Sequence, residues 1–409
     1  MNGLNSDQYL IIICSLVVLS YVFSVISRFI RIPSVLLLLF AGIGFRYFAD
    51  AWGLTIEFPV GLVEILGVVG LIMIVFEAGL DLKLERNKLR LIRNSFFSAL
   101  FILVITCALI SAILYYWLHE PVIKCIVYGI PLSIMSSSIV IPSLHPLTKT
   151  KKEFLIYEAS FSDILGIMIF NYFIAKDVMT AKSIGLFGAN LILAIILSLV
   201  LSFLLFLVLA KTRLNIKFFL IFSLLILVYA GGKIFHMPSL IIILVFGLML
   251  NNWEKIPVSK LSQYFPHQQV ESLRHLLHSI TAESSFLVRT FFFLVFGFSI
   301  RLDFISENEV LVVGSLVVLA LLAVRFLYLQ FFLRTNIFPE VVFIPRGLIT
   351  IVLFYKIPPG LMLATFNQGI LFFIILCSSI IMAIGMIFYK KGNEDVIEEG
   401  QFAERSDIV

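Results

Sequence analysis

Long apolar runs separated by short polar turns repeat along this chain from residue 8 to residue 389. A membrane-spanning helix needs about 20 mostly apolar residues. The runs predict about thirteen such spans, near 8–28, 33–49, 60–80, 95–117, 123–146, 153–175, 185–210, 217–235, 238–252, 281–300, 308–331, 338–356 and 367–389. The pattern therefore predicts an all-α polytopic membrane protein, with residues 1–391 as one transmembrane domain and 392–409 as a short tail.

The polar turns sort by charge. Arg28 and Arg31 follow the first span, and Lys83, Arg86, Lys88, Arg90 and Arg93 the third. Lys149, Lys151 and Lys152 follow the fifth, and Lys211, Arg213 and Lys217 the seventh. Lys255, Lys260 and Arg274 follow the ninth, Arg334 the eleventh, and Lys390 and Lys391 the last. The turns between them, such as "LHEPV" and "KIPPGLMLATFNQ", are poor in Lys and Arg. Basic loops mark the cytoplasmic side. The alternation predicts an N-terminus outside and a C-terminus in the cytoplasm, as in a bacterial inner-membrane protein. "MNGLNSDQ" lacks the basic start of a signal peptide, so the first run reads as a retained helix. "QVESLRHLLHSI", in the loop from 252 to 279, reads as an amphipathic helix lying on the membrane surface. The acidic tail reads as disordered, and it is too short for a nucleotide-binding regulatory domain.

Composition narrows the function classes. The chain is 61% hydrophobic and 13% charged, against about 45–50% and about 25% in soluble domains. No sizeable water-soluble domain fits. The net charge of +5 is sorted by loop, which argues for membrane topology and against a nucleic-acid partner. Cys14, Cys107, Cys125 and Cys377 lie far apart in apolar runs, which suggests neither a metal site nor a disulfide framework. No nucleophile–base pair, metal spacing or phosphate loop stands out, so an enzyme is not expected and no cofactor is implied. His145 reads as an interfacial histidine, with a pH-sensing role as the alternative.

Ionisable residues inside membrane spans mark function by default. Glu64, Glu77, Glu158, Asp163, Glu283, Arg289, Arg325 and Arg346 fall within the predicted spans. Glu64, Glu77 and Glu283 lie near span ends, where snorkelling or capping accounts for them. Arg289 lies deeper and reads as one half of an ion pair. Glu158 and Asp163 share the sixth span, five positions apart, and diverge by about 140° around a helix. Arg325 sits mid-span and cannot deprotonate, so it needs a carboxylate. If it pairs with Glu158, Asp163 is left as an unpaired acid. Taking such a carboxyl out of water favours its neutral form. It can then hold a proton or a cation, but not both, which is what a cation/proton exchanger requires. The alternative is a three-member ion cluster that only ties helices together.

Two spans read as broken. "PLSIMSSSIVIPSLHP" puts Ser136, Ser137 and Ser138 mid-membrane, with Pro142 just after, and "VVFIPRGLITIVLF" does the same with Pro345, Arg346 and Gly347. Broken helices expose carbonyls and half-helix ends at the midplane, where transporters bind ions. Hydroxyls and carbonyls are hard ligands suited to an alkali cation, and Arg346 could neutralise negative half-helix ends. "GLIMIVFEAGLDL" and "TFFFLVFGFSIRLD" echo each other seven spans apart, an odd offset that predicts inverted repeats.

With these residues in view, nearly the whole chain resembles the sodium/proton exchanger-like cation:proton antiporters. That family carries its ion site on the sixth span as Glu-x-x-x-Asn-Asp. Here "EASFSD" matches it at Glu158 and Asp163, with Ser162 where Asn is usual. "SSSIVIPSL" and "PRGLITIVLF" resemble the family's two interrupted helices, which cross over the Asp, and Arg325 resembles the Arg that partners its Glu. The first break reads Ser-Ser-Ser in place of Thr-Asp-Pro, closer to the potassium-efflux branch, and Ala159 stands where some members place a Ser.

The resemblance implies an inverted-repeat antiporter fold, a homodimer, and a mobile core near 95–175 and 308–389 moving against a dimerisation scaffold. It implies monovalent cation:proton antiport, sodium ahead of potassium, by alternating access. Asp163 would bind the cation or proton, with Ser162, Ser137, Ser136 and Ser138 and exposed backbone as shell. Glu158–Arg325 would be a structural pair, and Arg346 with Gly347 would compensate the breaks. One titrating acid beside a permanently paired one implies electroneutral exchange. A potassium/proton efflux antiporter or a channel-like permease of the same fold is the runner-up. A membrane sensor or scaffold without transport is the rival from another class.

Overall fold

In lipid, a backbone amide without an internal partner is costly, so a chain this apolar must be helical wherever it crosses. The structure, a computed structural model, describes residues 6–30, 32–53, 60–82, 88–144, 146–174, 196–204, 218–234, 239–252, 267–300, 307–333 and 337–389. Among the described residues there is no strand, and thirteen α-helices are placed besides the helical stretch 196–204. They are α1 (Ser6–Ile30), α2 (Ser34–Ala51), α3 (Val60–Asp81), α4 (Leu89–Leu118), α5 (Val122–Ser133), α6 (Ser137–Val140) and α7 (Lys149–Ile174). There follow α8 (Phe218–Ile234), α9 (Ser239–Asn251), α10 (His267–Ser299), α11 (Asn308–Tyr328), α12 (Leu348–Tyr355) and α13 (Gln368–Phe388). Each predicted span has a helical counterpart. The seventh falls within the described residues only over its helical stretch 196–204. Most of the basic loops, His145 and the acidic tail fall largely or wholly outside the described residues.

One sequence expectation is corrected. "QVESLRHLLHSI" is the first part of α10, an unbroken helix of 33 residues continuous with the tenth span. At 1.5 Å per residue such a helix is about 50 Å long, against roughly 30 Å of bilayer hydrocarbon. The amphipathic segment is that helix's overhang, and it is not a separate surface helix.

The chain divides into two compact units, one drawn from 1–64, 94–166 and 289–409 and the other from 65–93 and 167–288. In the first, α1 packs on α2, α11 on α13, and α5 on α12. Here α2 crosses α10 where Gly42 meets Gly297. A Cβ on Gly42 would strike the Leu294 carbonyl oxygen, and one on Gly297 the Leu39 carbonyl oxygen. In the second unit, α8 packs on α9, and α9 crosses α3 in the same manner. A Cβ on Gly79 would lie 2.8 Å from the Leu244 carbonyl oxygen, and one on Gly247 2.9 Å from that of Phe76. Lipid does not drive apolar helices together, so close backbone approach at small residues carries the association. The sequence echo paired the ends of α3 and α10, and each of those ends forms a glycine crossing. The Phe76 and Phe246 rings stack at 5.6 Å beside the second one.

Glu77 is half-buried and Glu283 exposed, and Arg289 is half-buried on α10. The Glu64 side chain lies outside the described residues.

Candidate ion-binding site

The site lies in the first unit, and it begins with two interruptions. Pro131 sits inside α5 and removes a helical N–H. The helix ends at Ser133, Ile134 and Ser136 are extended, and α6 restarts at Ser137. In the second interruption a 3-10 turn over Glu340–Val342 gives way to non-helical backbone through Pro345 and Arg346, and α12 starts at Leu348. The two breaks touch: the Ser136 amide donates to the Pro345 carbonyl at 3.0 Å. Gly347 makes that approach possible. A Cβ there would lie 2.7 Å from Ser136 Oγ and 2.8 Å from Ile139 Cδ1.

Breaking a helix strands carbonyls, and a buried orphan is expensive. Arg346, 2% exposed, answers this. Its Nε donates to the Leu132 carbonyl at the C-terminal end of α5 at 2.5 Å, and its Nη1 to the Ile344 carbonyl at 3.2 Å. A cation at the negative end of a helix is favourable. The Ser378 hydroxyl on α13 accepts from the Arg346 amide at 3.2 Å.

Helix α7 lies against the first break. Ser162 Oγ accepts from the Met135 amide at 2.9 Å, and a Cβ on Gly166 would strike the Ile134 side chain. Glu158 and Asp163, 1% and 4% exposed, have unlike surroundings. Glu158 is clasped by Arg325 from α11, with Nη2–Oε2 at 2.8 Å and Nη1–Oε1 at 3.1 Å. It also accepts from the Ser98 hydroxyl at 2.5 Å. Arg325 Nε donates to the Glu340 carbonyl at 2.6 Å.

Asp163 lies near the Ser137 hydroxyl and amide, with the Arg346 charge at longer range. Among the described residues no ion pair to Asp163 is formed. Its Oδ1 and the Ser137 hydroxyl are both buried without a hydrogen-bond partner. Such unmet oxygens are rare in folded proteins and need a reason.

The structure thus brings Asp163 and Ser137 together. It places Ser162 one position away, bonded to the break, and turns Ser136 and Ser138 toward each other, with hydroxyls 2.8 Å apart. Ser133, Met135, Glu158, Ser162, Arg325 and Arg346 are among the residues around a small cavity with room for about one water molecule.

Sequence reasoning missed two participants, Lys151 and Glu340. Lys151, read as a loop cation, lies inside α7 and is 7% exposed. Its Nζ is 3.2 Å from Glu340 Oε2 and donates to the Phe338 carbonyl at 2.8 Å. Spacing offered a signal, because Lys151 and Glu158, seven residues apart, share a helix face.

The family profile described as "Sodium/hydrogen exchanger, transmembrane" matches residues 14–389. The chain is a member of the sodium/hydrogen exchanger family. Comparison with curated protein sequences finds no match. Among solved structures it is similar to the sodium proton antiporter MjNhaP1 from Methanocaldococcus jannaschii at pH 8, at 18% identity and a TM-score of 0.68. That match covers 93% of this chain and 100% of the other. An electron-microscopy structure of the same antiporter matches at 18% identity and a TM-score of 0.67, over 95% of this chain and 100% of the other. These likenesses establish the antiporter fold. This exchanger is an integral membrane transporter with a carboxyl held out of water at the crossing of two broken helices.

Proposed function

We propose that Asp163 is the carrier group, binding Na⁺ and H⁺ in alternation to exchange one for the other across the membrane. The observation behind this reading is the contrast within α7. Glu158 has a guanidinium partner, whereas Asp163 keeps an oxygen unmet beside an equally unmet Ser137 hydroxyl. A dehydrated alkali cation needs hard oxygen ligands, and the Asp163 carboxylate, Ser137 and break carbonyls are of that kind. One carboxylate offers one negative charge, which either cargo cancels, so occupancy by one expels the other. Glu158 stays paired with Arg325, leaving one charge in each direction and an electroneutral cycle that membrane voltage does not drive.

Several parts of this reading go with the family resemblance. They are a homodimer in a bacterial inner membrane, the N-terminus outside and the C-terminus cytoplasmic, and a core near 95–175 and 308–389 that moves to give alternating access. The grouping of 94–166 with 289–409 in one compact unit, which also holds α1 and α2, supports treating those core segments together.

The test is Asp163→Asn in everted vesicles. The variant should be made and inserted normally and should lose Na⁺-dependent dissipation of an imposed pH gradient. Undiminished exchange by that variant removes the proposal.

A further inference from the structure

We infer that Lys151 and Glu340 form a positioning pair for ion exchange, setting the second break against the helix that carries Asp163. The inference rests on the reading of Asp163 as the carrier.

The pair closes a ring of buried contacts. Lys151 Nζ meets Glu340 Oε2 at 3.2 Å, with side chains 8% and 10% exposed. The same nitrogen donates to the Phe338 carbonyl at 2.8 Å, so the turn entering the second break is gripped on both sides of Pro339. The Glu340 carbonyl takes Arg325 Nε at 2.6 Å, and Arg325 clasps Glu158. Glu158 returns the ring to α7, two turns beyond Lys151. The 340–342 turn is therefore tied to α7 twice, once directly and once through α11.

That turn leads straight into the site. Five residues after Glu340, Pro345 takes the Ser136 amide at 3.0 Å. Next in sequence, Arg346 reaches the end of α5. Only non-helical backbone joins turn to crossing, so a shift of the turn passes to Pro345, and through the Ser136 amide to Ser137. Lys151 is twelve residues from Asp163, about 18 Å along the helix axis, so it cannot touch the ion. An ammonium is strongly hydrated, and burying one is a poor route to stability when an apolar pair can fill the space. Geometry is the return. Misplacement on the scale of 1 Å at a binding site is felt as a large change in rate or affinity.

The experiment is initial-rate exchange by the full chain in everted vesicles, as a function of Na⁺, for Lys151→Met, Glu340→Gln, the double Lys151→Met/Glu340→Met, and Lys151→Arg. The half-saturating Na⁺ should rise about threefold or more in the first three, with the maximal rate changed less. Lys151→Arg, which can keep the bridge, should stay within about twofold of wild type. Asp163→Asn run alongside separates the two readings. Exchange surviving Asp163→Asn sinks the carrier assignment. Loss of exchange there, with a folded double variant at wild-type half-saturation, sinks the positioning role alone. Failure of the double variant to fold also overturns it, because a pair that only positions is dispensable for folding.

Discussion

Removing Glu158 should cost this exchanger more stability than removing Arg325, and removing both should cost less than removing Glu158. The pair is 2% and 1% exposed and joined by two hydrogen bonds at 2.8 and 3.1 Å. Two unit charges about 4 Å apart attract by about 4 kcal/mol at an effective dielectric of 20. That agrees with the about 3–5 kcal/mol seen when one half of a buried pair is removed. The halves are not equivalent. Glu158→Leu strands a guanidinium that cannot shed its charge, with the Glu340 carbonyl still held by Nε. Arg325→Leu strands a carboxyl that can take up a proton and keeps the Ser98 hydroxyl. The first should lose about 3–5 kcal/mol, a large share of the roughly 5–15 kcal/mol that holds most folded proteins together. The second should lose less. Glu158→Leu/Arg325→Leu, an apolar pair of adequate volume, should recover to within about 1–2 kcal/mol of wild type. Melting followed by size-exclusion chromatography in detergent reads all three. A double variant as weak as Glu158→Leu would refute the argument, as would Arg325→Leu melting below Glu158→Leu.

Four further outcomes are expected. Ser137→Ala removes a hydroxyl with no protein partner, so melting should shift by under about 1 kcal/mol, while loss of one ligand to a charged group, about 1.5–3 kcal/mol, should raise half-saturating Na⁺ about tenfold to a hundredfold. Wild-type Na⁺ dependence would remove Ser137 from the shell. Gly347→Ala forces a methyl against Ser136 Oγ at 2.7 Å and Ile139 Cδ1 at 2.8 Å, and the overpacking should cost about 1–3 kcal/mol and slow exchange; unchanged melting and flux would show that the crossing has room. Gly79→Val places a branched side chain against the Leu244 carbonyl and the Gly247 Cα and should lower the melting temperature without altering the Na⁺ dependence of the folded fraction. Glu120, in the turn before α5, is held below the usual carboxylate range, first by the Ala364 amide and then by Lys124. Its contribution is therefore complete above the unfolded value of about 4.3 and is lost as pH falls through the lower folded one. Hydrogen exchange at the Ala364 amide, corrected for intrinsic rate, should lose protection only below that range, and should lose it at neutral pH in Glu120→Gln.

The sequence could be read furthest where lipid simplifies the physics. Apolar length fixed the spans, since only helices satisfy the backbone in hydrocarbon, and apart from the two breaks every span is helical where residues are described. Pro142, the serine run and the Pro345–Gly347 stretch marked the breaks, because a helix cannot pass through them unaltered. The Glu158–Arg325 bridge could be posed as an alternative, because Arg325 had to find a carboxylate. The partners made by tertiary contact stayed hidden. Lys151 looks like any topogenic lysine beside Lys149 and Lys152, and only the turn of α7 puts it inside. Glu340 lies two residues into a predicted span, where an acid near the end attracts no notice. Which serine faces Asp163 depends on the first break being extended at Ser136, so that consecutive hydroxyls point apart. The amphipathic segment of α10 was misplaced because a surface helix and a helix overhang share one periodicity.

The contrast between the two acids of α7 also explains why one helix carries both. A lone buried carboxyl invites the nearest guanidinium, and among the described residues two buried ones, Arg325 and Arg346, lie in this unit. Arg325 has each of its nitrogens in a hydrogen bond, with Glu158 holding both terminal nitrogens and the Glu340 carbonyl holding Nε. Arg346 gives Nε and Nη1 to the Leu132 and Ile344 carbonyls stranded by the breaks. Each arginine is committed before Asp163 can claim it. Glu158 therefore keeps Asp163 unpaired as much as it ties α7 to α11, and the broken helices do the same by consuming Arg346. A variant that frees either guanidinium while sparing Asp163 should exchange poorly even when folded, because the released cation occupies the carboxylate that Na⁺ and H⁺ would otherwise contest.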